Sequence, residues 1–276
     1  QTQPMKALIL LKAGEENLYV VRAARRLLSS RGVELRFVHV VRVPGDIPIT
    51  MDGRVPANCT EFDLSPYHRQ AAEDVAFFRR HLTDDEMEAF ESAVGQAEAV
   101  VRHESSTWGS DLIVSGSHAT TQTEDLFSTT FADNLVHSFD DPVLLLRPDH
   151  EAHPDNAALV CHFDQWPSQD VDALRTLLDG LDTTPAFACV MGRHDDVIDE
   201  LETRMTAFAE TLGVVPTRTD VLDVADVRTG VTALDEERRF DILILQRPDQ
   251  SIGDRILHGD ALRHLIDHGH TALLIL

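Results

Sequence analysis

The sequence predicts an α/β fold built from two tandem doubly wound domains, each with a five-stranded parallel sheet. Three observations predict it. Short apolar runs of strand length alternate with amphipathic stretches of helix length along the whole chain, the pattern of β-α units feeding a parallel sheet. The alternation runs twice, on either side of the polar, Pro-containing stretch RPDHEAHPDNA at Arg147 to Ala157. DLIVSGSHA at Asp111 and DILILQRPD at Asp241 lie 130 positions apart and mark an internal repeat. The domains are expected at residues 1–148 and 157–276, with 149–156 as linker.

Each element follows from local pattern. Lys6 to Gly14 (KALILLKAG) is a short buried-type strand. Glu15 to Arg31 is a helix with Leu18, Val21, Leu27 and Leu28 near one face, and Gly32 stops it. Val33 to Val41 is the next strand. Arg42 to Ser65, rich in Pro, Gly and Asp, is a loop long for a compact domain. Pro66 to Leu82 reads as a helix with Val75, Phe78 and Leu82 inward. The Glu-rich run DDEMEAFES is a solvated face leading into a strand at Glu88 to Val94. Gly95 leads into a helix at Gln96 to Glu104, then the strand DLIV, a polar loop, and a helix over DLFSTTFADNLV. Pro142 to Arg147 is the last strand of this half. The second half repeats the order with strands at Asn156–Phe163, Pro185–Gly192, Val215–Leu222, Phe240–Gln246 and Thr271–Leu276. Helices are expected between them at Ser168–Leu178, Asp196–Leu212, Ala225–Arg238 and Arg255–Asp267.

Composition narrows the functional classes. With 47 acidic and 24 basic residues, the formal charge is −23. Such a surface repels nucleic-acid phosphates and lacks the counterion-release gain of basic proteins, so no nucleic-acid partner is expected. Lys6 and Lys12 are the only lysines. Arg in place of Lys beside abundant Asp and Glu fits a high-salt cytoplasm or a GC-rich source. No apolar run approaches the roughly 18 residues of a membrane helix, so no membrane insertion is expected. Met5 reads as a natural start, with residues 1–4 a remnant. Cys59, Cys161 and Cys189 have no metal-like spacing and argue for a reducing, cytoplasmic compartment. Cys161 and Cys189 read as small core residues. No G-x-S-x-G elbow is present, and no cysteine sits where its pKa would fall, so no enzyme activity is expected.

The run DLIVSGSHA, continued by LFSTTFADNLVHSFDDPVLLLRP, resembles the C-terminal half of a universal stress protein domain. AFESAVGQAEAVVRHE upstream is similar to the third strand, glycine and third helix of that family. The likeness is specific over Ala97 to Pro148. In the second half it is largely architectural, through FDILIL, RILHGDALRHLIDHG and TALLIL. It implies an adenine nucleotide alpha hydrolase-like fold and a soluble, non-enzymatic protein of stress tolerance that acts through binding and oligomerisation.

The resemblance also tests the loop after DLIV. Nucleotide-binding members carry Gly-x2-Gly-x9-Gly-(Ser/Thr) there. Gly116 matches the first glycine; Ala119 and Thr129 stand at the next two, and Thr130 at the hydroxyl position. Lys12 falls where the family's first strand ends in Asp. In the second half the register gives Gln246, Asp249, Gly259 and Asp260, and Asp164 falls near the first-strand Asp. An Asp at a helix start repels a phosphate that the helix N-terminus would attract. Gly116, Ser117, His118, Thr129, Thr130 and Gly259 are the nucleotide-binding candidates, in a loop that has lost most of the glycines that let phosphates approach. No cofactor is expected, with ATP as the alternative. Ser128, Thr129 and Thr130 also suffice as helix caps.

His264 and His268 are spaced i, i+4 with His270, His258 and Asp267 nearby, a metal pattern or a set of solvated histidines at a helix C-terminus. No metal is expected. The partner is a protein or a second copy, with Arg42–Ser65 as the contact surface. PVLLLR and TALLIL read as edge strands, and the two halves are expected to pair Pro142–Arg147 against Thr271–Leu276 as a pseudo-dimer inside one chain. The alternative function is an adenine-nucleotide sensor, or a regulatory module of a partner such as a transporter.

Overall fold

A computed structural model of the chain describes residues 4–28, 32–117, 128–162, 171–192, 198–224, 227–237, 239–246 and 260–276. Ten strands form one sheet. In the first half they are β1 (Lys6–Leu11), β2 (Glu34–Arg42), β3 (Phe90–Gly95), β4 (Leu112–Gly116) and β5 (Val143–Leu146). In the second half they are β6 (Ala157–His162), β7 (Ala186–Gly192), β8 (Thr219–Val224), β9 (Ile242–Leu245) and β10 (Ala272–Ile275). The spatial order is β3-β2-β1-β4-β5-β10-β9-β6-β7-β8. Read inward from either end, the two halves have the same strand order. Every pairing is parallel except the seam, where β5 and β10 run antiparallel with Leu145 opposite Leu273 and Leu144 opposite Leu274.

Strand composition explains the layers. Successive strand residues point to opposite faces, and Ala7 to Leu11 are all buried. Both faces of the sheet are therefore covered by helices, as a parallel sheet requires. Those helices are α1 (Tyr19–Leu28), α2 (Ser65–Phe78), α3 (Asp84–Glu88), α4 (Ala97–Trp108), α5 (Thr129–Ser138), α6 (Val171–Gly180), α7 (Ile198–Leu212), α8 (Val227–Glu236) and α9 (Asp260–His268). Among the described residues no helix is long and apolar enough to cross a membrane.

Several expectations are corrected. PVLLLR and TALLIL are edges only of their own halves: as expected, β5 and β10 pair with each other, which places both, fully buried, at the centre of the ten-stranded sheet. Pairing each with the other hides two apolar edges that would otherwise invite aggregation. The helix expected over Glu15–Arg31 begins later, after a 3-10 turn at Glu15–Asn17, because the buried Asn17 side chain donates to the Ala13 carbonyl at 3.0 Å. The expected Pro66–Leu82 helix stops at Phe78. A separate α3 follows, closed by a capping box in which Thr83 and Glu86 satisfy each other's main-chain N–H groups. Asp74 rather than Val75 is the buried residue of α2 beside Phe78. In the second half β8 starts at Thr219, not Val215, because its pairing with β7 begins at Phe187–Thr219. Pro216, with no N–H to give, lies ahead of it.

The long connection after β2 is anchored. Its Val55 N–H donates to the Val94 carbonyl and its Gly53 carbonyl accepts from Gln96, both at 2.9 Å, and Arg54 bridges Gly95 antiparallel to β3. Two glycines make this contact possible: a Cβ on Gly95 would sit 2.1 Å from the Gly53 oxygen, and Gly53 itself holds φ +78°. Arg54 reaches Glu104 at 2.7 Å and Asp52 at 3.0 Å, and Arg36 adds a 3.1 Å pair to the buried Glu104. Met51 stands fully exposed at the tip, with Ile49 beside it.

Candidate functional site

The strand ends of the first half assemble the candidate loop. β4 ends at Gly116, and the Ser117 N–H donates to the Leu146 carbonyl at 2.9 Å. That bond extends the β4–β5 ladder by one residue and turns the Ser117 side chain toward the residue after β5. There its hydroxyl, fully buried, accepts from Arg147 Nη1 at 3.0 Å. α5 begins after the loop, and its N-cap Ser128 accepts from the Phe131 N–H at 3.2 Å. Thr130 is exposed at the start of that helix. From the end of β2, Arg42 stands over the Phe131 ring at 5.8 Å and donates to Glu98 at 3.1 Å. An Arg–Glu pair and a phenyl ring thus occupy the edge where β2, α4 and α5 converge.

Of the candidates, Gly116, Ser117 and the α5 residues Thr129 and Thr130 lie at the same end of the sheet. His118, Ala119, Gly259, Asp249, Asp164 and His258 lie outside the described residues, and so do the side chains of Thr129 and Asp260. Lys12 follows β1 and is half-buried. His264 and His268 put their rings 5.0 Å apart on α9, and the His270 main-chain N–H donates to Asp235 at 3.0 Å. Among the described residues no three His, Cys, Asp or Glu gather as a metal site. Burial pushes the Cys189 thiol up to about 12, which makes it an inert core residue.

Two constellations escaped the sequence reading. Arg147, only 6% exposed, crosses the seam. Besides Ser117, it donates to the Ile266 carbonyl at 3.0 Å and to the Leu265 carbonyl. Both lie at the C-terminal end of α9, where the helix dipole favours a cation; the Leu265 carbonyl also accepts from the Gly269 N–H at 2.8 Å. Burial draws the Arg147 pKa down, and Asp235, Tyr19 and Asp267 restore part of the loss. The second constellation is a buried dyad. On β2, His39 has Nδ1 2.9 Å from the Leu11 carbonyl and Nε2 2.9 Å from Asp74 on α2. Gln70 donates to the other Asp74 oxygen at 2.7 Å. A carbonyl only accepts, so Nδ1 carries a proton, and the bond at Nε2 needs a second one held between His39 and Asp74. The signal in sequence was a lone His inside the apolar run RFVHVV.

The family model for universal stress proteins matches residues 5–147, more than half of the chain. The chain belongs to the universal stress protein family. Solved structures extend the likeness of fold over both halves. A universal stress protein from Archaeoglobus fulgidus DSM 4304 aligns with TM-score 0.66 and 12% identity, covering 99% of this chain and 98% of that one. A functionally unknown protein from Pseudomonas aeruginosa PAO1 aligns with TM-score 0.53 and 12% identity, covering 99% and 92%. No curated relative matches the chain. At such identity the structural likeness speaks to fold, and the match of residues 5–147 carries the family.

Proposed function

We propose that the chain is a tandem universal stress protein of the cytoplasm, a non-enzymatic protein of stress tolerance that acts by binding and assembly. Its domains are residues 1–148 and 157–276, joined by 149–156. Its first-half loop, with Gly116, Ser117, His118, Thr129 and Thr130, does not hold ATP tightly, and Gly259 alone does not rescue the second. The observation that carries this reading is the direction of Ser117. Its hydroxyl, the first polar side chain after Gly116, is buried against Arg147 and is not turned toward the open end of the sheet. Glu98 adds a carboxylate at the same strand ends, where a phosphate needs donors and positive charge. The repeated strand order supports a duplication, and the β5–β10 pairing supports a pseudo-dimer, in which the halves of one chain meet as two chains would about a two-fold axis.

The test is ligand content and ligand response. Protein isolated under native conditions and then denatured should release no adenine nucleotide. A site with a Kd of ~10 μM would add about 2.7 kcal/mol at 1 mM Mg-ATP, a shift of several degrees in Tm; the expected shift is none. Nucleotide near one per chain would establish the sensor reading instead. That reading has one observation in its favour, the capped N-terminus of α5 with Thr130 exposed beside it.

A further inference from the structure

The two ends of the sheet are finished differently. At the β3 end, Gly53–Val55 lies against the end of the strand and takes up the Val94 carbonyl and the Gln96 N–H. At the other end β8 is the last strand, and among the described residues nothing adds to it. The Phe187 N–H donates to the Arg218 carbonyl at 2.8 Å. In a parallel ladder this turns the main-chain groups of Arg218, Asp220 and Leu222 toward β7 and those of Thr219, Val221 and Asp223 away from it. Thr219 and Val221 are also exposed at their side chains, and Val215, just ahead of the strand, is 83% exposed. Among the described residues β8 therefore presents an unpaired edge with the exposed side chains of Val215 and Val221 beside it, the arrangement that extended peptides join by strand addition.

A groove continues that edge. Thr217 donates to the Pro185 carbonyl, which holds the start of β8 beside a half-open cavity of about 520 Å³. Its wall includes Asp179, Asp182, Thr183, Thr184 and Val215. Arg175 also lines it, but its guanidinium is already held by Asp172 at 2.6 Å and by the Thr211 and Leu212 carbonyls. Along the strand itself Asp220 takes the Arg218 guanidinium at 2.6 Å. That pair leaves the strand near neutral, and the groove, with Asp179 on its wall in a chain of formal charge −23, favours positive charge. A second copy is a poor occupant, because two chains of formal charge −23 repel each other.

The geometry points to β8 as the docking edge for an extended, basic segment of a partner protein, which adds as an eleventh strand and sends a Lys or Arg side chain into the groove by Asp179. This deepens the binding role proposed above by giving the partner a chemistry. The ATP experiment tests the loop and not this edge, so either can fail alone.

The probe is a fluorescent peptide of alternating Lys and Val, titrated into the full chain. Its partner probe is the same peptide N-methylated at every second residue, which keeps the charge but cannot pair as a strand. The expected result is saturable binding of the first peptide, with slowed amide exchange at Thr219 and Val221, and at least about tenfold weaker binding of the second. Val221→Pro removes one outward donor and spares the inward ladder; it should weaken binding about tenfold. Val221→Lys, which keeps the strand, should weaken it as well, so a folding defect in the proline variant would not hide the answer. Asp179→Asn should cost about threefold at low salt. Equal binding of both peptides, or protection that falls elsewhere than β8, would overturn the proposal, and so would no binding at all.

Discussion

The two halves share one strand order but hold it together by different means. After β5 the chain continues into Arg147, which is buried and bonded to groups from both halves. After β10 the matching position is Leu276, the end of the described sheet, which packs on the core as an apolar residue. The first half also carries Arg54 on Glu104, Arg25 on Glu86 and His39 on Asp74. Among the described residues the second half shows the buried Asp235, which accepts from the His270 and Thr271 N–H groups, and the Phe187–Phe208 contact at 5.9 Å. Topology therefore follows from the apolar strands, which both halves have. The polar anchors do something else: they fix the insertions and the seam that distinguish the first half from the second.

The largest test of that comparison asks whether the halves unfold together. Phe37 and Phe187 are each buried in a strand next to the first strand of its half. Truncation of either to Ala should cost about 3–5 kcal/mol. The apolar seam predicts that both variants lower a single calorimetric transition. Two transitions, each moved by only one variant, would show that the β5–β10 pairing is too weak to join the halves.

The next test concerns the seam's polar element. Arg147→Ala strips a buried cation from the end of α9 and takes its donor from the Ile266 carbonyl, while Leu265 keeps the Gly269 N–H, at a cost of about 3 kcal/mol. Ser117→Ala removes only one of its bonds and should cost about 1 kcal/mol. The informative variant is Arg147→Met, which fills the same space without charge. If the Met variant matches the wild-type Tm, the lock gives specificity rather than stability. If it falls as far as Ala, the helix end needs the cation. Amide exchange at Gly269 and His270 reads the site directly.

Legibility in the sequence tracks the same division. Runs such as ALILL, LIVS, VLLL and ALLI are buried on both faces, and continuous apolarity alone marked β1, β4, β5 and β10. β8 was misplaced because VPTRTDVLDV offers no such run, and only its partner strand sets where it starts. α3 was missed because DDEME has no buried residue and hence no periodicity; Thr83 and Glu86 were its one signal. Of the candidate site, the loss of glycines was readable. The direction of Ser117 was not, because it depends on Arg147, 30 residues away, and on a helix of the other half. His39 and Asp74 stand 35 residues apart and become partners only when α2 lies across β2.

The smallest expected effect lies in one of the first half's polar anchors and is read through pH. Glu86 on α3 accepts from Arg25 Nε at 2.8 Å and from the Thr83 N–H at 2.8 Å, joining α1 to α3. Burial works against its charge, but the hydrogen bonds from Arg25 and Thr83 outweigh it and hold the carboxyl below its ordinary 4.5. A carboxyl whose pKa is lower in the folded state contributes stability that is fully present above the unfolded value. That contribution is lost as pH falls through the folded one. Glu86→Gln should therefore be less stable than wild type at pH 7, with the gap closing as pH drops below about 4.5, where the wild-type carboxyl takes up its proton. Denaturant unfolding at pH 7 and pH 3 measures that gap. A gap that stays constant would mean Glu86 acts through packing and not through its charge, and this anchor would then resemble the apolar contacts of the second half.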